Sequence, residues 1–313
     1  MKAIRILKRR SVPIMDSIPI PSPMSREVLV KMEYSAINPA DLATLVGAYD
    51  EKSEYPVTLG LEGSGRIESV GQELDARLIG RRIAGYFRIG SWSQFAISNL
   101  WHEIPDDLSS EQAAGIMVNP LTAISILNLV GDQGSFIVTA AMSSLGKILI
   151  KLGLTQGKRP IGIIRKSSQI EELKQLGLEN VLDSSSKDFP KKLKEVSEKE
   201  KPSFAIDFIG STITNSLLKV LQPDGTVIIV GNLSAKPCEK VDLTNLILES
   251  KKIKGFHLND YKDNLGNWES ILRQNYSLFV PKIASIKNWT NFQEAITEYR
   301  GSLSSGKILL KIE

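Results

Sequence analysis

Between about residue 109 and residue 255, short runs of almost wholly apolar residues alternate with segments of helical period. Such runs are typical of strands in a parallel sheet that helices cover on both faces. Their alternation with helices indicates a doubly wound α/β domain. The predicted strands are SFIVTA, RPIGIIR, ENVLD, FAIDFIG and GTVIIVG, and the helices between them include SLGKILIKLGL, SQIEELKQLG and TNSLLKVL.

The segments on either side of this region have a different pattern. Before Ser109, β-type runs such as EVLVKMEYSAI and GSGRIESVG are interrupted by Pro and Gly. Ser109 itself, with the acidic turn that follows it, marks a helix start. After residue 255 the pattern is mixed, and the segment GKILLKIE is predicted to be a final strand that returns to the first domain.

Composition excludes several classes of protein. The 313 residues are 42% hydrophobic and 24% charged, as in an ordinary soluble protein of two domains. The single cysteine, Cys238, excludes internal disulfides and a cysteine-cluster zinc site. The net charge of +4 is too small to indicate a nucleic-acid partner, and the mixed charge run over 187–201 is interpreted as a solvated helical face.

No apolar run reaches the ~18 residues of a membrane span, so no membrane partner is expected. The start, MKAIRILKRR, is interpreted as a first strand and not as a signal peptide, and a cytoplasmic location is expected.

The first α/β strand leads directly into a predicted phosphate-binding turn, AMSSLGKILIKLG. A helix that begins there points its N–H groups at a ligand phosphate. Of the usual three glycines only Gly146 is present, and Ser143 and Ser144 form the turn beside Leu145. The motif alone leaves an ordinary strand–helix turn as an equal alternative.

The next strand ends in Arg165 and Lys166. A cofactor without a 2′-phosphate usually meets an acidic residue there, whereas a guanidinium can bind a phosphate with two hydrogen bonds. These residues favour NADPH over NADH, the alternative being a solvated basic pair.

The order of motifs resembles the zinc-free quinone oxidoreductase branch of the medium-chain dehydrogenase/reductase superfamily, and most of all the 2-enoyl thioester reductases. The resemblance covers nearly the whole chain. It rests on INPADL, the Gly47–Tyr49 turn, LGLEGSG, GSWSQFAI, VNPLTA, SSLG, IIRKSS, DFIG, VGNL and GFHL. Three residues depart from the family pattern: Ser144 replaces a glycine, Ser184 a tyrosine and His257 a tryptophan.

The resemblance implies a GroES-like, β-rich catalytic domain formed by residues 1–118 and 256–313 around a Rossmann NADPH-binding domain of residues 119–255. It also implies a homodimer joined edge to edge through the nucleotide-domain sheets. Zinc-dependent relatives place a cysteine where Asn38 stands and a histidine where Leu61 stands, beside Glu62. Because Glu62 alone cannot hold a catalytic zinc, no metal is expected.

The resemblance implies roles for further residues. Tyr49 is the candidate donor to the enolate oxygen, and Asn38 is the candidate polar neighbour of the nicotinamide ribose or substrate; a surface tyrosine and an Asn-Pro turn residue are the alternatives. Trp92 is assigned to the substrate pocket, and so is His257, for which the alternative is a partly exposed polar side chain. Cofactor contacts are assigned to Thr122, whose alternative is helix capping, and to Ile209, Gly210, Gly231, Asn232, Phe256 and Leu258.

The first hypothesis is therefore a zinc-independent, NADPH-dependent oxidoreductase that reduces the activated C=C bond of a small-molecule substrate, a 2-enoyl thioester or an enone. The second is an NADPH:quinone reductase. The third, favoured by the incomplete glycine motif, is a cofactor-binding protein with little turnover.

Overall fold

The computed structural model describes residues 1–48, 54–87, 90–238, 240–301 and 306–313. Contacts divide the chain into two compact units, which we call the terminal unit (Met1–Pro120 and Glu269–Glu313) and the central unit (Leu121–Trp268). The first boundary lies close to the predicted one. The second lies beyond the predicted residue 255, because the chain stays with the central sheet: the Phe256 N–H donates to the Ile229 carbonyl at 2.9 Å.

The strands of the described residues, in chain order, are β1 (Lys2–Ile6), β2 (Ile14–Ser17), β3 (Val28–Ala36), β4 (Val57–Thr58), β5 (Glu62–Val70), β6 (Arg82–Tyr86), β7 (Phe95–Ser98), β8 (Leu100–Glu103), β9 (Ser135–Val138), β10 (Arg159–Ile164), β11 (Asn180–Asp183), β12 (Phe204–Asp207), β13 (Thr226–Ile229), β14 (Lys252–Gly255), β15 (Ile283–Asn288) and β16 (Lys307–Lys311).

The α-helices are α1 (Pro39–Leu45), α2 (Ser110–Ala113), α3 (Val118–Val130), α4 (Ser144–Thr155), α5 (Ile170–Gln175), α6 (Phe189–Glu200), α7 (Thr212–Val220), α8 (Leu243–Leu248), α9 (Trp268–Gln274), α10 (Tyr276–Phe279) and α11 (Phe292–Gly301). Short 3₁₀ turns lie at Ala76–Leu78, Ser167–Gln169, Leu258–Asp260 and Trp289–Asn291.

The central unit contains a six-stranded sheet in the order β11-β10-β9-β12-β13-β14, in which every pairing is parallel. Numbered within the unit, this is the 3-2-1-4-5-6 order of the Rossmann fold, which confirms the predicted fold class. The predicted strands are all present as β9 to β13. The sequence pattern missed β14 (KIKG), because its residues are exposed on both faces and show no apolar run.

The core of the central unit is formed by the strand residues that the helices cover. Ile137, Ile161, Ala205 and Val227 are fully buried, and helix residues such as Leu193 and Leu217 belong to the same cluster. The opposite face of α6 has exposed ion pairs at i, i+4 spacing, including Lys191–Glu195 and Lys194–Glu198, which confirms the predicted solvated helical face.

The terminal unit contains a seven-stranded sheet in the order β15-β16-β3-β5-β6-β8, with β7 also paired to β3. A three-stranded sheet has the order β2-β1-β4. The pairing of β16 with β3, antiparallel with Leu310 opposite Ser35, confirms the predicted return of the final strand to the first domain. Ile4, Phe87, Trp92 and Leu310 are among the fully buried residues of its core.

Helix α2 begins as the sequence predicts, because Ser109 and Gln112 form a capping box. The stretch Ser110–Val130 is long and apolar enough to cross a membrane by length and composition, although polar residues interrupt its apolar runs. Within it, 78% of the most apolar window is buried inside the protein, as in the core helix of a globular domain.

Candidate active site

Except for Thr122, which lies in α3, the predicted cofactor residues of the central unit follow the carboxyl ends of its parallel strands. Strand order reverses between β9 and β12, and in open α/β sheets ligands bind in the crevice at such a point. The turns that leave the strands there contain Ser143, Ser144, Leu145 and Gly146 after β9, Arg165 and Lys166 after β10, Ile209 and Gly210 after β12, Gly231 and Asn232 after β13, and Phe256, His257 and Leu258 after β14.

The turn from β9 into α4 has the geometry of a phosphate-binding turn. Ser143 is the N-cap of α4, and its hydroxyl accepts a hydrogen bond from the Gly146 N–H at 3.0 Å. A Cβ at Gly146 would lie 2.7 Å from the Ala140 carbonyl oxygen, so only glycine fits there. The Ser143 hydroxyl therefore stabilises the helix start by capping one of the N–H groups that have no partner within the helix.

Arg165 and Lys166 directly follow β10, and both side chains are exposed. Among the described residues, neither forms an ion pair with a carboxylate. At the next strand Ser184 occupies the position of the family tyrosine, and its hydroxyl donates to the Ile164 carbonyl at 2.8 Å. The edge around Arg165 therefore presents two exposed cations, and the acid at the end of the next strand is Asp183, which lies opposite Ile164.

Asp207 organises the turn after β12, a role that the sequence pattern did not predict. The residue is fully buried, and its Oδ1 accepts from Thr139 Oγ1 at 2.9 Å, from Ile209 N at 2.9 Å and from Gly210 N at 3.2 Å. Its Oδ2 accepts from Thr214 Oγ1 at 2.7 Å. The signal was available: a carboxylate stands inside the otherwise apolar run FAIDFIG.

Gly210 follows in the left-handed region with φ 71°, which favours glycine. A Cβ at Gly210 would lie 2.9 Å from Asn232 Oδ1, so the turns after β12 and β13 approach closely. Asn232 is exposed, and its Oδ1 accepts from Ser234 Oγ at 3.0 Å.

The segment after β14 is built around an aromatic pair. The rings of Phe256 and Tyr261 stack with centroids 4.8 Å apart, and Lys254 Nζ lies 5.5 Å from the Tyr261 centroid. Leu258 is buried and His257 is half-buried. Thr122 is buried within α3. Their cofactor and pocket roles stay predictions.

In the terminal unit, Tyr49 lies outside the described residues, and its catalytic role stays a prediction. The chain that leads to it is held by the β1–β2 connection. Arg9 donates from Nε and Nη2 to the Gly47 carbonyl at 3.1 Å and 2.8 Å, and Arg10 Nε donates to the Val46 carbonyl at 3.2 Å. Two guanidinium groups thus bind the carbonyls at the end of α1.

A buried polar cluster surrounds Asn38. The Asn38 Nδ2 donates to Glu62 Oε1 at 3.0 Å, and Lys307 Nζ lies 2.8 Å from the same oxygen and also donates to Asn38 Oδ1. The other oxygen of Glu62 accepts from Met117 N at 3.1 Å and Val118 N at 2.8 Å, at the start of α3. Asn38 is therefore more than a turn residue, although it also caps α1.

Asp41 is the second carboxylate of this region. Its Oδ2 accepts from the Asn38 N–H at 2.7 Å. Burial raises the pKa of Asp41 to about 7, and the charge of Glu62 also raises it. The hydrogen bond from Asn38 and the charge of Lys307 lower this pKa but do not cancel the effect of burial. Burial also raises the pKa of Tyr299, with smaller contributions from Asp41 and Glu62.

Trp92 is fully buried in the core of the terminal unit, and its Nε1 has no hydrogen-bond partner among the described residues. Its assignment to the substrate pocket stays a prediction. His102 is buried and hydrogen-bonded through Nε2 to the Tyr276 hydroxyl.

The donor set around Glu62 does not fit a zinc ion. A catalytic zinc takes three protein ligands, usually His, Cys or carboxylate. Here the neighbours are the Asn38 amide and the Lys307 ammonium, which is itself a cation in contact with Glu62. Across the described residues there is no group of three His, Cys, Asp or Glu side chains that could hold a metal.

Two family descriptions match the chain in tandem. Residues 24–99 match "Alcohol dehydrogenase GroES-like domain", and residues 144–273 match "Zinc-binding dehydrogenase". The chain belongs to the medium-chain dehydrogenase/reductase superfamily. The second match, over residues 144–273, does not include Asn38, Glu62 or Lys307, whose side chains do not fit a zinc ion.

Relatives of this dehydrogenase/reductase include enoyl-(acyl-carrier-protein) reductases. The mitochondrial enoyl-(acyl-carrier-protein) reductase of Dictyostelium discoideum is 27% identical over 315 residues, covering 92% of this chain and 87% of the relative. The enzyme of the same name from Arabidopsis thaliana is 29% identical over 246 residues, covering 75% of this chain but only 65% of the plant protein.

A crystal structure from Bacillus thuringiensis, assigned as an NADPH:quinone reductase, superposes with a TM-score of 0.88 at 26% identity. The match covers 99% of this chain and 98% of the other. The chain is therefore similar over its length to reductases of both kinds.

Proposed function

We propose that this oxidoreductase uses NADPH to reduce the activated C=C bond of a 2-enoyl thioester or enone, without zinc. The observation that carries the proposal is the Lys307 ammonium against Glu62 and Asn38, because a Lewis-acid route to alcohol oxidation needs anionic or imidazole ligands at such a place. A conjugated acceptor needs no metal to accept hydride. The enoyl reductases among the relatives support this substrate class.

The central unit fits NADPH. The N–H groups of the first turn of α4 would bind the pyrophosphate, and Gly146 lets α4 pack closely against the end of β9. Arg165 and Lys166 are exposed cations at the place where the 2′-phosphate of NADPH lies in this fold. The turns held by Asp207 would contact the nicotinamide half.

The bound cofactor supplies a hydride for the β-carbon of the substrate. What remains for the chain is to hold the substrate carbonyl and to stabilise negative charge on its oxygen. Tyr49 would donate a hydrogen bond, or a proton, to that oxygen. Asn38 is a second donor, because Glu62 and Lys307 fix its amide.

Quinone reduction is the second candidate. Its support is the structural similarity to the protein assigned as an NADPH:quinone reductase. A reduced quinone oxygen can take its proton from water, so this activity would not depend on Tyr49. Cofactor binding with little turnover is the third candidate, and Ser144 in the place of a glycine favours it.

A homodimer is proposed as the assembly, joined through the β14 edge of the central sheet. One side of β14 pairs with β13, and β14 is the last strand in the order of that sheet. Exposed apolar side chains lie on or near it: Ile247 is 75% exposed, Leu248 78% and Ile253 43%. An unprotected edge strand beside apolar side chains is a typical surface for pairing with a second copy.

One assay tests the function. NADPH oxidation is followed with a 2-enoyl thioester, with a quinone and with neither, before and after incubation with a chelator. We expect turnover of the enoyl substrate that survives chelation. Turnover of the quinone alone would support the second candidate, absence of turnover the third, and loss on chelation with recovery on added zinc would overturn zinc independence.

A further inference from the structure

Three ionisable side chains meet in the interior of the terminal unit. Glu62 is 0% exposed, Asp41 2% and Lys307 4%. A buried charge is unfavourable unless another charge and hydrogen bonds compensate it. Lys307 is the cation that contacts Glu62 and lowers the pKa of Asp41, and Tyr299 is the other titratable group that faces both carboxylates.

Lys307 also determines the orientation of the Asn38 amide. An ammonium group only donates, so the oxygen of the amide faces Lys307 and the nitrogen faces Glu62. With the two ends reversed, the NH₂ group would point at the ammonium and the oxygen at the carboxylate. The contact with Glu62 uses one of the two amide hydrogens and leaves the second for another acceptor.

The same carboxylate fixes the first turn of α3. Glu62 Oε2 accepts from Met117 N and Val118 N, and Glu62 Oε1 is the atom that Lys307 and Asn38 share. A carboxylate is favourable at a helix N-terminus, where the backbone N–H groups have no partner within the helix. Lys307 therefore neutralises the group that holds α1, α3 and β16 at one point.

We propose that Lys307 is a positioning residue that serves as an internal counter-cation, keeping Glu62 in place and setting which end of the Asn38 amide is presented to ligand. The charge part of this role is independent of what the protein catalyses. The presentation of Asn38 to cofactor or substrate rests on the proposed function.

The first measurement is thermal unfolding of Lys307→Met, which keeps the length of the side chain and removes its charge. Lys311→Met is the matched control, since Lys311 lies on the same strand with an exposed side chain. Breaking one side of a buried ion pair leaves the other charge uncompensated, so we expect Tm to fall by roughly 5–10 °C at pH 8. The control should change Tm by about 1 °C or less.

The pH dependence separates lost charge from lost packing. Without Lys307 the pKa of Asp41 rises further above about 7, because one group that lowers it is gone. A carboxyl whose pKa is higher in the folded state loses stability as pH rises. The Tm deficit of Lys307→Met should therefore be larger at pH 8.5 than at pH 6. A deficit that is the same at both pH values would overturn the proposal.

The double variant Glu62→Gln, Lys307→Met removes both partners. Replacing a whole buried pair costs much less than removing one partner, so the double variant should recover at least half of the Tm lost in Lys307→Met. If the single variant does not fold, the expected result is a double variant that folds with a measurable Tm. A double variant no more stable than the single one would show that Lys307 is not the counter-cation of Glu62.

Steady-state kinetics test whether Lys307 orients the Asn38 amide for turnover, and NADPH binding is measured separately by fluorescence. Lys307→Arg keeps the charge and should retain turnover within about threefold, whereas Lys307→Met at pH 6 should lower kcat by roughly tenfold or more. If kcat is equal in both variants and the stability results are as expected, Lys307 does not position Asn38 for turnover. Its role as the counter-cation of Glu62 would stand. Absence of turnover in the parent protein would overturn the proposed function alone.

Discussion

Lys307 Nζ lies 2.8 Å from Glu62 Oε1, although 245 residues separate the two along the chain. Lys307 is the first residue of β16, and Glu62 is the first residue of β5. The contact joins both segments of that unit at a buried point next to Asn38. It is also what makes the site unsuitable for a metal ion.

Replacing Arg165 by Ala should weaken NADPH binding far more than NADH binding. Only NADPH would lose a charge-assisted hydrogen bond, worth roughly 1.5–3 kcal/mol, or about 10- to 150-fold in Kd. Titration of both cofactors by fluorescence checks this. Lys174→Ala, an exposed cation on α5, is the control and should leave both affinities unchanged. Equal weakening of the two cofactors would reject Arg165 as the 2′-phosphate contact.

Tyr49→Phe keeps the ring and removes only the donor. If Tyr49 stabilises the enolate, kcat on an enoyl thioester should fall by roughly 10²-fold or more, with little change in NADPH affinity. Quinone turnover should change little. Tyr55→Phe is the control, because Tyr55 packs against the core of the terminal unit. An unchanged enoyl rate in Tyr49→Phe would remove this residue from the mechanism.

Asp207→Asn should destabilise the central unit and weaken the cofactor site. The amide replaces one oxygen by a group that cannot accept, so at least one of the hydrogen bonds from Thr139, Ile209, Gly210 and Thr214 is lost. We expect a loss of about 2 kcal/mol or more in urea unfolding, with a rise in the NADPH Kd. Thr214→Val, which removes one donor, should have a smaller effect. A stable variant with normal affinity would contradict the role given to Asp207.

His102 should make the protein sensitive to acid. Burial, with a smaller contribution from Arg273, lowers the pKa of His102 to about 4, below its value of about 6.5 in an unfolded chain. The unfolded state then binds the proton more readily, so stability falls as pH drops from 6.5 towards 4, by up to about 3 kcal/mol. His102→Gln should show a shallower decline in urea unfolding over this range. If stability declines equally with falling pH in both proteins, a group other than His102 causes the acid sensitivity.

The proposed dimer should dissociate when a charge is placed on β14. Ile253 is 43% exposed on this strand, and Ile286 on β15 is 44% exposed, which makes it a matched control. Ile253→Lys should give a monomer in analytical ultracentrifugation, whereas Ile286→Lys should sediment like the parent protein. A parent protein that is already monomeric would reject the proposed assembly.

The sequence predicted most of the fold because the relevant signals are local. Apolar runs identified β9 to β13, and the spacing after SFIVTA located Gly146 at the start of α4. It did not predict β14, whose exposed residues have no apolar pattern, nor the contact of Asp207 with Thr139, which lies 68 residues away along the chain. Lys307 looked like an ordinary residue of a final strand, because its partners are brought to it only by the tertiary fold.

Because β16 pairs with β3, the sheet of the terminal unit can be completed only after nearly the whole chain has been synthesised. Every residue of the central unit lies between these two strands in the chain, so the ribosome completes that unit first. At roughly 5–20 residues per second, Glu62 leaves the ribosome more than about ten seconds before Lys307 is made. During that interval the residues of β3 that pair with β16, Tyr34 to Ala36, lack their partner strand, and Glu62 lacks its ammonium partner, so the sheet of the N-terminal segment is completed only by the last strand.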